Sequence, residues 1–142
     1  MDAPRRYFAY GSNIVAPQMT HRCPAARAVG LARLDGWRFR ITTRGFATIL
    51  PDPASHVLGV LWALTPVCEV ALDRYEGVHR GLYLKREIPV GSSDALVYVA
   101  GDIEPGPPKP GYLEAIIAAA ERHGFAPAYV ATELRVWLEA GL

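Results

Sequence analysis

Tyr7-Phe8-Ala9-Tyr10-Gly11-Ser12-Asn13 is the stretch on which the reading of this chain turns. Tyr7, Phe8 and Tyr10 suit a pleated, half-buried surface, whereas Gly11, Ser12 and Asn13 are turn formers, so the pattern predicts a strand that stops at a loop. Gly11 permits close approach of main chain, and the Ser12 hydroxyl, the Asn13 amide and the loop N–H groups are able to converge on a small polar or anionic ligand. The same residues also make an ordinary strand-end turn. Local pattern alone leaves both readings open.

Working outward, Ala16 to Cys23 reads as a short helix, with Pro17 in its first turn and Pro24 ending it. Ala28 to Leu34 and Trp37 to Thr43 read as two strands, and Asp35-Gly36 between them is a two-residue hairpin signal. In the second strand Trp37, Phe39 and Ile41 share one face and Arg38 and Arg40 the other. Phe46 to Leu50 is a further short strand, Pro51 to Ser55 turns, and Val57 to Leu64 is apolar enough to be buried on both faces. The core is expected to centre there.

Thr65-Pro66 opens the next helix with a capping residue and a proline at the first helical position, and Val67, Val70, Ala71 and Tyr75 recur at helical spacing. Gly77 is placed to end it. Glu76, just before that glycine, faces the negative end of the helix dipole, which with partial desolvation raises the proton affinity of a carboxylate towards the range useful for acid/base work near neutral pH. A solvated helix-end glutamate gives the same local pattern, and Asp73, three residues back, is either a second carboxylate of a site or surface charge. Leu82 to Val90 and Ala95 to Ala100 then form a hairpin around Gly91-Ser92-Ser93, with Tyr83 at its opening. The run from Gly101 to Gly111 is rich in Pro and Gly, stiff and irregular, and suits a wall or lid. Tyr112 begins a helix to about His123, with Leu113, Ile116, Ile117 and Ala120 as its apolar stripe, and a final helix starts near Pro127 with Val130, Leu134, Trp137 and Leu138 inward.

At 142 residues the chain is sized for a single domain with a sizeable core. Lys plus Arg number 15 against 14 for Asp plus Glu, a balance that argues against nucleic acid or anionic membrane and for a small partner. No apolar run is long enough to span a bilayer. Cys23 and Cys68 lie far apart outside any Cys-x-x-Cys pair, and the opening residues lack the apolar stretch of a secretory leader, so a reducing, cytoplasmic setting with two core or neutral surface thiols is expected. His21 sits close to Cys23, but His56, His79 and His123 stand alone, so no metal is assigned. There is no Gly-x-Ser-x-Gly elbow, phosphate-binding loop, dinucleotide fingerprint or repeat.

Taken together in order, Tyr7 to Asn13, then Gly45-Phe46-Ala47-Thr48-Ile49, Gly59-Val60-Leu61-Trp62, Leu72-Asp73-Arg74-Tyr75-Glu76-Gly77-Val78, Tyr83, Tyr112 and Gly124-Phe125-Ala126-Pro127-Ala128-Tyr129 resemble the gamma-glutamylcyclotransferase family, related to the AIG2-like group, over nearly the whole chain. The resemblance implies an α+β single domain, a small mixed β-barrel of about six strands with helices packed outside. It implies a cyclotransferase, an acyl-transfer lyase that releases 5-oxoproline and a free amine or amino acid from a gamma-glutamyl substrate, with Glu76 as catalytic acid/base. The substrate-binding residues it implies are Tyr7, Phe8, Ala9, Tyr10, Gly11, Ser12, Asn13, Tyr83 and Tyr112, largely through main-chain groups in the loop, with Tyr112 closing over the substrate. No metal or organic cofactor is implied, and the chain is expected to be a monomer or homodimer. Ile14 stands where the family has Leu, and the loop from Thr42 to Gly45 is shorter than in the animal enzymes, which bears on substrate range. Two other readings remain: removal of a gamma-glutamyl group from one biosynthetic intermediate, and a non-catalytic small-ligand module on the same fold.

Overall fold

The computed structural model describes residues 4–139. Five strands form one mixed sheet in the order β2-β3-β1-β5-β4, where β1 is Arg5–Ala9, β2 Arg27–Ile41, β3 Ala47–Leu64, β4 Tyr83–Val90 and β5 Ser93–Ala100. Every neighbouring pair is antiparallel except β1 and β5, which run parallel with Tyr7 opposite Leu96. The helices are α1 (Ala16–Arg22), α2 (Pro66–Tyr75), α3 (Tyr112–Arg122) and a last helical stretch, residues 127–139, whose middle turns Val130–Arg135 are π-wound.

The barrel of about six strands expected above is instead an open five-stranded sheet with β2 and β4 as its edges. The strand count falls because the proposed hairpin at Asp35-Gly36 is no hairpin. β2 runs straight through it, with Asp35 opposite His56 and Trp37 opposite Pro51, so Asp35-Gly36 is a bulge facing the extra residues 52–55 of β3. Gly36 takes φ +85° there, the left-handed value that a bulge shares with a hairpin turn, which is why the dipeptide reads as either. The true reversal lies between Ile41 and Ala47, where the Thr42 N–H donates to the Phe46 carbonyl at 2.9 Å.

β3, buried between β2 and β1, is the centre of the core, as its apolar run predicts. Val57, Val60, Trp62 and Leu64 are buried, and Gly59 lies against Phe8, one of the largest fully buried side chains. Phe39 and Ile41 are buried on β2 while Arg38 is outside, in the expected alternation.

α2 starts and stops as its sequence predicts. The Thr65 hydroxyl accepts from the Cys68 N–H at 3.2 Å, Pro66 occupies the first turn, and Gly77 ends the helix at φ +66°. Its buried face is different from the expected one. Cys68 and Leu72 pack inward, whereas Val67 and Val70 are exposed and Tyr75 is half exposed. The reason is a covalent one in part: Cys68 is disulfide-bonded to Cys23 at the C-terminal end of α1, with Cα atoms 5.2 Å apart. The expectation of two separate thiols is therefore corrected, since the fold brings two cysteines 45 residues apart into bonding range.

α3 buries Leu113, Ile116, Ile117, Ala119 and Ala120, and the residues before it form a strap. The Thr43 N–H donates to the Glu104 carbonyl, Gly106 to Ile41 and Lys109 to Gly45, which fastens residues 104–109 along the β2–β3 turn. No helix among the described residues is long and apolar enough to cross a membrane.

Candidate active site

A cavity of about 250 Å³ opens where the end of β1 meets the β2–β3 turn, the end of α2, the start of β4 and the start of α3. Tyr7, Tyr10, Gly11, Ser12 and Asn13 line it from the first motif, Glu76 from the second, and Tyr83 and Tyr112 from the two hairpin and helix openings. Residues scattered over more than a hundred positions thus meet because strand order places β1 in the middle of the sheet. Phe8 and Ala9 do not line the cavity. Phe8 points to the other face of the strand and is fully buried, and Ala9 is held in the ladder opposite Val60.

The loop is built for close contact. After β1 the chain makes a single tight turn, Ser12–Ile14, closed by the Ile14 N–H donating to the Gly11 carbonyl at 3.1 Å. A β-carbon at Gly11 would stand 3.3 Å from the Ala47 side chain and 3.4 Å from the Tyr112 hydroxyl, so a side chain there would press on both walls. The turn is anchored from below, with Trp62 Nε1 donating to the Asn13 carbonyl at 3.1 Å and the His123 ring 2.7 Å from the Ile14 carbonyl.

Glu76 sits at the C-cap of α2, its backbone N–H donating to the Leu72 carbonyl at 2.8 Å. Gly77, which follows, packs so tightly on Leu82 that a β-carbon there would come within 2.8 Å. Glu76 lines the cavity. Burial pushes its carboxyl up to about 7, and the Arg22 charge pulls in the opposite direction. A carboxyl held there is able both to take and to give a proton near neutral pH.

The tyrosine hydroxyls divide into two groups. Tyr83 donates to the Ala47 carbonyl at 2.6 Å, Tyr98 to Asp73 Oδ1 at 2.7 Å, and Tyr10 to the Tyr98 carbonyl, so their protons are engaged. Tyr112 instead accepts from the Ala47 N–H at 3.0 Å, and Tyr7 accepts from Asn13 Nδ2 at 2.9 Å. Each of these two keeps its own hydrogen to donate. Burial raises all five phenols above their ordinary range, so they are neutral donors rather than charges.

Sequence reading missed Tyr98, Arg44 and Arg80 in the lining. Tyr98 is embedded in the apolar run of β5 and stacks edge-on to Tyr7 at 5.7 Å, and the arginines look like any surface charge along the chain. Asp73 is not a second carboxylate of the cavity; it is bound to Tyr98 and lies 2.9 Å from Lys85 Nζ. The stiff segment 101–111 contributes no lining residue, and its expected part as wall or lid falls to Tyr112 just beyond it. Among the described residues no three of His, Cys, Asp and Glu are grouped to hold a metal.

Residues 56–132 match the AIG2-like family, a span that contains Glu76, Tyr83 and Tyr112 but not the opening loop. A mouse gamma-glutamylcyclotransferase is 31% identical, the match covering 87% of this chain and 73% of the mouse protein. The human gamma-glutamylcyclotransferase is 30% identical over 83% of this chain and 71% of its own length. A solved structure described as a gamma-glutamyl cyclotransferase superposes with a TM-score of 0.83 at 28% identity, covering 94% of this chain and 87% of the other.

Proposed function

The chain belongs to the AIG2-like, gamma-glutamylcyclotransferase-like family of enzymes, and on that premise we propose that it converts gamma-glutamyl amino acids or gamma-glutamyl amines to 5-oxoproline and the free amine, with Glu76 as acid and base. The observation that carries this reading is the Glu76 carboxyl, raised to about 7 by burial in a cavity that Gly11 and Ser12 also line.

The reaction is intramolecular. The substrate's α-nitrogen attacks its own γ-carbonyl carbon, the five-membered ring forms, and the bond to the leaving nitrogen breaks. The α-nitrogen loses two protons in passing from ammonium to ring N–H, and the leaving nitrogen gains two in becoming ammonium, so one carboxylate that carries protons between them leaves the count unchanged. The enzyme's remaining tasks are to curl the substrate into a reactive conformer and to stabilise the tetrahedral oxyanion. The free hydroxyl hydrogens of Tyr7 and Tyr112 and the N–H groups of the loop are donors suited to the oxyanion and to the α-carboxylate. Neither metal nor organic cofactor enters these steps.

Purified protein is incubated with gamma-glutamyl dipeptides, gamma-glutamyl-ε-lysine and gamma-glutamyl amines, and 5-oxoproline is quantified. Release from at least one class is expected, with Glu76→Gln inactive on it. No release from any of them sinks the proposal.

A further inference from the structure

We propose that Arg22, which lies behind the cavity wall, is a positioning residue: its guanidinium orients the Ser12 hydroxyl and the Asn13–Tyr7 pair so that both hydroxyl hydrogens are presented to the substrate. The inference rests on the cyclotransferase reading of the site and extends it to a residue that neither motif includes.

Arg22 is the last residue of α1, and the disulfide of the adjacent Cys23 ties that helix end to α2. From there the guanidinium reaches three elements. Nη1 donates to Ser12 Oγ at 2.9 Å and to Asn13 Oδ1. Nη2 donates to Gln18 Oε1 at 3.1 Å and to the Tyr75 hydroxyl, and the guanidinium carbon lies 3.7 Å from the Tyr75 ring centroid. Tyr75 precedes Glu76 directly, so one side chain braces the loop against the segment that carries the carboxylate.

Polarity follows from the chemistry of arginine, which offers donors and no acceptor. Asn13 must turn Oδ1 towards Arg22, which leaves Nδ2 as the donor to Tyr7 at 2.9 Å. The Tyr7 oxygen, having accepted, directs its own hydrogen elsewhere, and the cavity is the space it lines. Ser12 Oγ likewise accepts from Arg22 and keeps its hydrogen for the cavity. A glutamine or methionine at position 22 releases both hydroxyls to rotate and lets the Asn13 amide turn over.

Arg22 also bears on Glu76 electrostatically, as the one cation that draws its carboxyl down against the effect of burial. The other groups facing Glu76 are Tyr7 and Tyr10 from the end of β1, Tyr83 from β4, Tyr98 from β5 and Tyr112 from α3, with Arg44 and Arg80 in the same lining. The buried phenols stay neutral through the range in which Glu76 titrates.

The test compares the parent with Arg22→Gln, Arg22→Lys and Tyr7→Phe, alone and with Arg22→Gln added to Tyr7→Phe, using the full chain. Kinetics are read on whichever gamma-glutamyl substrate is turned over, and Glu76 is titrated directly by carboxyl 13C resonances, assigned with Glu76→Gln. Arg22→Gln is expected to lower kcat on the order of tenfold with a smaller change in KM, as for a misaimed donor, and to move the Glu76 midpoint upward. Arg22→Lys keeps the charge without the fork, so its midpoint stays near the parent's while kcat falls. The double variant is expected to lose little more than the worse single one, because Arg22 acts on Tyr7. An unchanged kcat in Arg22→Gln, or additive losses in the double variant, overturns the proposal. Should Arg22→Gln not fold, Arg22→Lys decides by the same kcat reading. Should no substrate be turned over, the cyclotransferase reading fails by itself, and the carboxyl titration alone then supports or overturns the coupling of Arg22 to Glu76.

Discussion

The Tyr83 hydroxyl donates to the carbonyl of Ala47 at 2.6 Å, a bond that closes one wall of the cavity across 36 residues of chain. The N–H of the same alanine donates to Tyr112, so two tyrosines hold the two main-chain polar groups of one residue with opposite polarity. Tyr83 spends its proton on the protein, and Tyr112 keeps its own. Tyr83→Phe is therefore expected to cost about 1–3 kcal/mol of stability, through an unpaired buried carbonyl, while kcat stays within a few-fold of the parent. Tyr112→Phe is expected to reverse the balance, with kcat down roughly tenfold or more. Urea unfolding and steady-state kinetics on both variants check this; equal kinetic losses would refute it.

Glu76 gives the fold a pH dependence with a definite sign. Its carboxyl is raised from 4.5 to about 7 on folding, so between those values the folded state binds more proton than the unfolded one. The contribution of Glu76 is thus fully present below about 4.5, declines as pH rises towards 7, and is lower by up to about 3 kcal/mol above it. Glu76→Gln removes the decline and is expected to melt no lower than the parent at pH 8 while losing turnover. A variant that melts well below the parent at pH 8 would show Glu76 to be a structural ion.

The rate should follow the same group. A glutamate that must begin ionised gives an acidic limb in kcat/KM with a midpoint near 7. A flat profile from pH 5 to 8 contradicts the assignment of Glu76 as base.

Gly59 sits on β3 beside the end of β1, and a β-carbon there would come within 2.3 Å of the Ala9 carbonyl oxygen and 2.7 Å of the Phe8 ring. Main chain does not yield as a flexible side chain does. Gly59→Ala is expected to cost about 1–3 kcal/mol, read by urea unfolding.

The Cys23–Cys68 disulfide closes a loop of 45 residues, for which chain entropy supports about 4 kcal/mol of stabilisation. Reduction is expected to lower the melting temperature and, by loosening the end of α1 that carries Arg22, to lower kcat as well. Two thiols that titrate at once in folded, unreduced protein would contradict this.

Much of the local structure was legible beforehand because it depends on neighbours in sequence. Thr65-Pro66 and Gly77 bound α2 by capping and by a left-handed turn, and the Leu113, Ile116, Ile117 and Ala120 stripe places α3 correctly. Asp35-Gly36 misled because a bulge and a hairpin ask for the same backbone, and only the partner strand tells them apart. Val67 and Val70 misled because an apolar spacing shows that a face exists without saying which side the sheet lies on.

By itself, the sequence determined the strand-to-loop transition at Tyr10-Gly11, the carboxylate at the end of α2 and the order in which they occur, since those are short-range matters of backbone preference and spacing. Tertiary structure alone decided which tyrosine protons are free, that Phe8 and Ala9 belong to the core, that Arg22 stands behind the loop, and that Cys23 meets Cys68. Burial and hydrogen-bond polarity are properties of what surrounds a group, and the surroundings of Glu76 come from strands and helices far apart in the chain.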